Sequence, residues 1–162
     1  MEYLQIFDNK KRPINEKIER RFKRSLKNGK RYMVTLIFIK NSKDEFLVQL
    51  TSKQKKNVYA ITGGHVTYGD DSIKTAIKET KEEVGINLSK EELNYVGTTI
   101  EEKCFCDIYY VNKDIPIDNM NLQYDEVESV YWLTLKQIKN LIDNHKFREY
   151  NIQPLKKLLE SI

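Results

Sequence analysis

Apolar side chains fall along this chain in two rhythms, and each predicts a different kind of element. Ile14, Ile18, Phe22 and Leu26 recur at every fourth position behind Pro13 and ahead of Gly29, which predicts a helix best defined over Arg20 to Asn28. Met33 to Lys40 is β-branched and apolar, Asn41 to Asp44 reads as a turn, and Glu45 to Leu50 is apolar again, so the three predict a β-hairpin. A basic loop, Lys53 to Asn57, follows. Ser72 to Val84 returns to helical spacing behind a cap-rich GDDS. Tyr95 to Glu101 and Lys103 to Val111 read as strands, Pro116 through Tyr124 as a polar loop, and Glu126 to Leu133 as a further strand. Leu135 to Asn144 and Pro154 to Ser161 close the chain as helices. Strands interleaved with a few helices imply an α/β or α+β layered domain.

Composition narrows this picture. The chain has 162 residues, 40% of them hydrophobic, which suits one domain of about 150 residues rather than two. Its longest apolar stretch, Met33 to Ile39, is far short of the ~20 residues of a membrane span. The opening MEYLQIFDNKKR resembles neither an export nor a transit signal, so the expected setting is cytoplasmic, with no membrane partner. Internal repeats and low-complexity tracts are absent, and residues 1–162 are expected to form a single domain.

Charge is unevenly spread. Residues 10–31 carry eleven Lys and Arg against Glu16 and Glu19, so residues 1–31 stand out as a basic N-terminal extension although the whole chain is only +4. Such a segment attracts polyphosphate or RNA. With few interleaved aromatics, a solvated amphipathic element is favoured over nucleic-acid binding. Cys104 and Cys106 lie on one face of a predicted strand without partners at zinc spacing, and are read as small buried hydrophobes.

Chemistry concentrates between Gly63 and Ile86. Four of the six glycines fall here, marking a shaped loop, a helix and a stop. At 100° per residue Glu79, Glu82 and Glu83 share an arc of about 100°, Ile73, Ile77, Thr80 and Val84 face a core, and Lys74, Lys78 and Lys81 take the remaining side. Three carboxylates in one turn repel one another. Either lysines such as Lys78 and Lys81 pair with them on a solvated face, or a hard divalent cation gathers them. Mg²⁺ or Mn²⁺ prefers oxygen ligands and bridges to phosphate oxygens, which would make the substrate a phosphate ester or anhydride.

The glycine frame around these glutamates resembles the box of the Nudix hydrolases, Gx5Ex7REUxEExGU with U aliphatic. It runs from Gly64 through Asp70, Lys78, Glu79, Thr80, Glu82, Glu83 and Gly85 to Ile86. Asp70, Lys78 and Thr80 depart from the pattern. Asp70 is a methylene shorter than the family's Glu and could instead cap the helix with Asp71 and Ser72, while Lys78 lacks the bidentate fork of Arg. The IFIKN, FLVQL and DEVESVYWL segments resemble the family's flanking strands, and EYLQIFD with GGH resembles the branch that includes isopentenyl-diphosphate isomerase, whose opening is a strand pair before a short helix.

That resemblance implies a Nudix-type α/β/α sandwich with a mixed β-sheet between helices, the box at residues 63–86 and C-terminal helices within 135–162. It implies Glu79 and Glu83 as the main ligands of Mg²⁺ or Mn²⁺, Glu82 as the third, and the Gly63 carbonyl completing the sphere. Glu82, Glu83 and Glu126 are the catalytic candidates, with Asp125 and Glu128 in reserve, and Lys55 and His65 are the substrate-binding ones. The isomerase needs a Cys where Gly63 stands and a His where Tyr32 stands, so isomerisation is not expected. The expected function is metal-dependent hydrolysis of a phosphoanhydride in a nucleoside diphosphate linked to another group. The alternative is a catalytically weak nucleotide-sensing or RNA-binding module on the same fold. The expected partner is a small nucleotide or diphosphate, and a homodimer is compatible with it. Tyr59, Tyr68, Phe105, Tyr109, Tyr110 and Tyr124 are the aromatic candidates for base stacking.

Overall fold

The computed structural model describes residues 1–162. The chain runs β1 (Tyr3–Phe7), β2 (Pro13–Glu19), a 3₁₀ turn (Arg20–Ser25), β3 (Tyr32–Lys40), β4 (Glu45–Thr51), β5 (Tyr59–Ala60), β6 (Thr62–His65) and α1 (Ser72–Val84). It continues through β7 (Asn94–Glu101), β8 (Cys104–Asn112), β9 (Val127–Thr134), α2 (Leu135–Asp143) and α3 (Ile152–Ser161). Strands β3 to β9 form one mixed sheet: β3 and β8 run parallel, and the remaining pairs are antiparallel.

Successive residues of β3 point to opposite faces, and this alternation divides the core. Ile37 and Ile39 pack with Tyr109, Val111, Ala76 and Val84 on the α1 side. Leu36 and Phe38 pack with Ile108, Ile138, Leu155 and Leu158 on the side of α2 and α3. The result is the expected α/β/α sandwich.

The predicted hairpin is only partly a hairpin. Its turn forms as read, with the Asn41 side chain accepting from the Lys43 and Glu45 amides at 3.0 Å each. Beyond the turn the strands part: β3 and β4 are paired only at Lys40 and Phe46. The gap is filled by the chain that leads into the glycines, since β5 pairs with β4 at Gln49 and Leu50 and β6 pairs with β3 over Val34 to Ile37. Gly63 and Gly64 therefore sit at the centre of the splayed sheet.

The N-terminal helix expected over residues 14–28 is not formed. Residues 13–19 are a strand paired with β1, and only Arg20–Ser25 turns, as 3₁₀. Four-residue spacing is ambiguous because it keeps side chains on one face in a helix and in a strand alike. Nor is the extension merely a solvated element. Leu4, Ile6 and Phe7 are buried, and at roughly 1.5–3 kcal/mol each this is enough to hold an otherwise charged hairpin to the domain. Main-chain bonds join β1 to the loop after β6, from the Gln5 amide to the Val66 carbonyl and from the Tyr68 amide to the Tyr3 carbonyl. Lys11 fixes the far end through Asp107 at 3.0 Å.

Candidate active site

Helix α1 starts and stops where local chemistry dictates. The Asp71 carboxylate caps it by accepting from the Lys74 amide at 2.8 Å, and Gly85, at φ +71°, ends it in the left-handed conformation. Asp70 is not the cap. It accepts from the Thr67 hydroxyl at 3.0 Å and faces the Lys78 ammonium at 3.8 Å, so two of the residues that depart from the box pattern are partners of one another. The third, Thr80, is fully buried and its hydroxyl donates to the Ala76 carbonyl of its own helix at 2.7 Å.

With these contacts made, the helix turns its acidic face into a cleft of about 1130 Å³ that Gly63, Gly64, Glu79, Glu82, Glu83 and Glu126 line together. Glu82 is exposed, Glu79 is half-buried and Glu83 is only 8% exposed. None of the three is ion-paired; Lys78 is turned to Asp70, and Lys81 is exposed without a partner. The lysine-paired solvated face is thereby excluded. Burial, reinforced by Glu79, pushes the Glu83 carboxyl up to about 8, although the Gln49 amide at 3.4 Å and the Gly63 main-chain N–H favour its charged form. Glu79 is pushed up to about 7, again by burial first and then by Glu82.

These donors fit a hard divalent cation in their chemistry: all are oxygens, held at a cleft, and no ion pair within the chain neutralises them. No three His, Cys, Asp or Glu side chains converge into a finished cage. What the fold supplies is close packing of α1 on β6, and Gly64 permits it. A Cβ at Gly64 would lie 2.5 Å from Cδ and 2.8 Å from Oε1 of Glu79. Gly64→Ala is accordingly expected to displace Glu79 and to lower kcat at least ~10-fold. Its melting temperature should change by only a few degrees, because the collision is with the far end of a flexible side chain at the cleft. Steady-state kinetics with thermal melts checks this; unaltered kcat would show that Glu79 need not lie against the glycine.

Glu126 faces the same carboxylates and is held by Lys55 at 3.5 Å, so two predicted residues meet at one side of the cleft. Asp125 and Glu128, the reserves, do not line it. Asp125 contributes its carbonyl to the Ser52 hydroxyl at 2.8 Å, and Glu128 accepts from Asn57 at 3.2 Å. His65 lies stacked on Tyr32, with ring centroids 5.6 Å apart, and its Nε2 accepts from the Lys23 ammonium at 2.9 Å. Burial, together with Arg20, Lys23, Arg148 and Lys55 around it, holds the imidazole neutral by pulling its pKa far below the ordinary range. Burial also pushes the Cys104 thiol up to about 11, leaving it protonated and unreactive.

None of the six aromatic candidates lines the cleft: Phe105 and Tyr109 are core residues, and Tyr124 is 74% exposed elsewhere. Tyr32, Phe147 and Tyr150 line it instead. Sequence reasoning also missed Gln49 and Arg148, and it did not foresee that Arg20, Lys23 and Arg24 of the extension reach this cleft. Arg148 lies in HKFREY between α2 and α3, where no spacing or composition marks it. The excess of cations in residues 10–31 was the only signal for the others.

A NUDIX domain family model matches residues 30–155. An uncharacterized Nudix hydrolase of Listeria innocua is 26% identical over 126 residues, covering 75% of this chain and 75% of the relative. Among solved structures, a Deinococcus radiodurans protein superposes with a TM-score of 0.75 at 17% identity over 95% of this chain and 96% of its own, so the shared fold extends beyond the family match. The bifunctional NMN adenylyltransferase/ADP ribose pyrophosphatase of Francisella tularensis, solved with AMP and a manganese ion, superposes with a TM-score of 0.64 at 20% identity, over 81% of this chain and 42% of that one.

Proposed function

The chain belongs to the NUDIX domain family, and from that premise we propose that it hydrolyses a phosphoanhydride bond in a nucleoside diphosphate linked to a second group, using Mg²⁺ or Mn²⁺. The observation that carries this reading is the pair of carboxylates without an ion-pair partner, half-buried Glu79 and buried Glu83, at the wall of a cleft large enough for a nucleotide.

Glu79, Glu82 and Glu83, with the Gly63 carbonyl, would hold the cation. Bound there, it supplies neutralisation of the diphosphate and acidification of water. Gln49, itself fixed by the Thr62 hydroxyl at 3.2 Å, orients Glu83. Glu126, or a glutamate of α1 left free, accepts the proton as a water oxygen attacks phosphorus; the P–O bond to the bridging oxygen breaks, and that oxygen leaves with the second product. Lys55 holds Glu126 in place and offers its remaining donors to a phosphate oxygen. Because Arg20, Lys23 and Arg24 line the same cleft as the box, residues 1–162 act as one unit in this reading. No helix is long and apolar enough to cross a membrane.

The test is a panel of nucleoside triphosphates, nucleotide sugars, ADP-ribose and dinucleoside polyphosphates, assayed with Mg²⁺ and again with excess chelator. Turnover of at least one compound, abolished by chelation, is the expected result. Saturable nucleotide binding with no product from any compound would instead support a sensing module on this fold.

A further inference from the structure

The carboxylates account for only part of the cleft lining, and much of the remainder is cationic. Arg20, Lys23 and Arg24 come from the 3₁₀ turn, Lys55 from the loop after β4, and Arg148 from the connection between α2 and α3. Two of these are answered within the chain, Arg20 by Glu2 at 3.3 Å and Lys55 by Glu126 at 3.5 Å. Arg148 and Arg24 make no side-chain hydrogen bond or ion pair, and the hydrogen-bond partner of Lys23 is the His65 ring rather than a carboxylate.

Lys23 is aimed rather than loose. Its ammonium donates to His65 Nε2 at 2.9 Å and lies 5.1 Å from the centre of the Tyr32 ring, on which His65 is stacked. Arg148 is half-buried and lines the same cleft as Glu83, Glu126 and the cations of the turn. Neither Lys23 nor Arg148 makes an ion pair with a carboxylate, although Glu83 and Glu126 act on Arg148 from a distance, and an anion entering from solvent would pair with both.

Resting on the hydrolase reading above, we propose that Lys23 and Arg148 form a second anion subsite that grips a terminal phosphoryl group, selecting substrates with a free phosphomonoester end over those capped at both ends. A phosphomonoester carries ≈ −1.5 to −2 charge at neutral pH and three acceptor oxygens, whereas a capped phosphodiester carries one charge and two ester arms. A guanidinium fork and the ammonium that His65 and Tyr32 orient match the former. When the bond to the bridging oxygen breaks, negative charge builds on the departing phosphate, and the same two cations receive it. Lys23 lies outside residues 30–155, so the family-matched segment alone lacks half of the subsite.

Calorimetry in the presence of Mg²⁺ tests this without requiring turnover. The probes are a methylene-bridged nucleoside triphosphate and the same compound methyl-esterified at its terminal phosphoryl. The full chain should bind the free-ended probe about tenfold more tightly than the ester. Lys23→Met and Arg148→Met should each weaken the free-ended probe about tenfold and the ester no more than about twofold, with Lys23→Arg and Arg148→Lys recovering part of the loss. Thermal melts identify any variant that fails to fold, and Arg148→Lys then stands in for Arg148→Met. Equal losses with both probes, no loss with either, or a wild-type chain that binds neither would overturn the subsite. If the discrimination is found but no compound in the panel is hydrolysed, the subsite stands and the hydrolase reading falls; the converse pattern removes the subsite alone.

Discussion

Glu83→Gln should lower kcat by about 10³ while making the metal-free protein more stable at alkaline pH. Both effects come from one buried charge. Gln keeps the size of Glu and can still accept from Gln49, so the surrounding packing is preserved, but the site loses an anionic donor for the cation; several kcal/mol of transition-state stabilisation correspond to a loss of that order. Without the cation the same charge is a burden, since burial and Glu79 oppose its ionisation. Removing it should raise the melting temperature of the metal-free protein at pH 9 by a few degrees, on the order of 1–3 kcal/mol. Activity is read by single-turnover product formation and stability by thermal melts with chelator. A variant that is both inactive and less stable at pH 9 would mean that Glu83 is structural, and the assignment of chemistry to α1 would fail.

The second large effect is a pH-dependent stabilisation by Mg²⁺. Glu79 and Glu83 have folded-state pKa values of about 7 and about 8, above the ordinary 4.5, so the folded metal-free chain retains protons that the unfolded chain releases. Their contribution to stability is therefore complete below about pH 4.5 and is lost as pH rises through 7 to 8. A divalent cation binds the ionised forms and restores stability in that upper range. At a hundredfold excess over its dissociation constant the gain is ~2.7 kcal/mol. Melting temperatures measured at pH 5.5 and 8.5 should show a Mg²⁺-induced rise of several degrees at the higher pH and little at the lower. An equal rise at both, or an undiminished rise in Glu83→Gln, would place the cation elsewhere.

Local chemistry settled α1 before any tertiary structure was known. Its N-cap, Asp71, its stop, Gly85, and the intervening spacing are short-range features, and the helix spans Ser72–Val84 as read. Period-two strands that reach the core were similarly legible: β8 and β9 lie within a residue or so of their expected limits. The failure came where spacing was degenerate, in Ile14 and Ile18, which suit a helix or a strand equally; the pairing partner, β1, decided for the strand.

For the candidate site, the chain by itself determined which residues share the acidic face of α1, because helical geometry follows from residue number alone. Tertiary structure decided everything that depends on distant neighbours. It buried Glu83 against Gln49 and the β6 backbone, turned Lys78 away to Asp70, and carried Lys23 and Arg148, 125 positions apart in the sequence, to the same cleft. Charge and periodicity are written residue by residue, but desolvation and the meeting of remote side chains exist only once the sheet has splayed and the hairpin has docked.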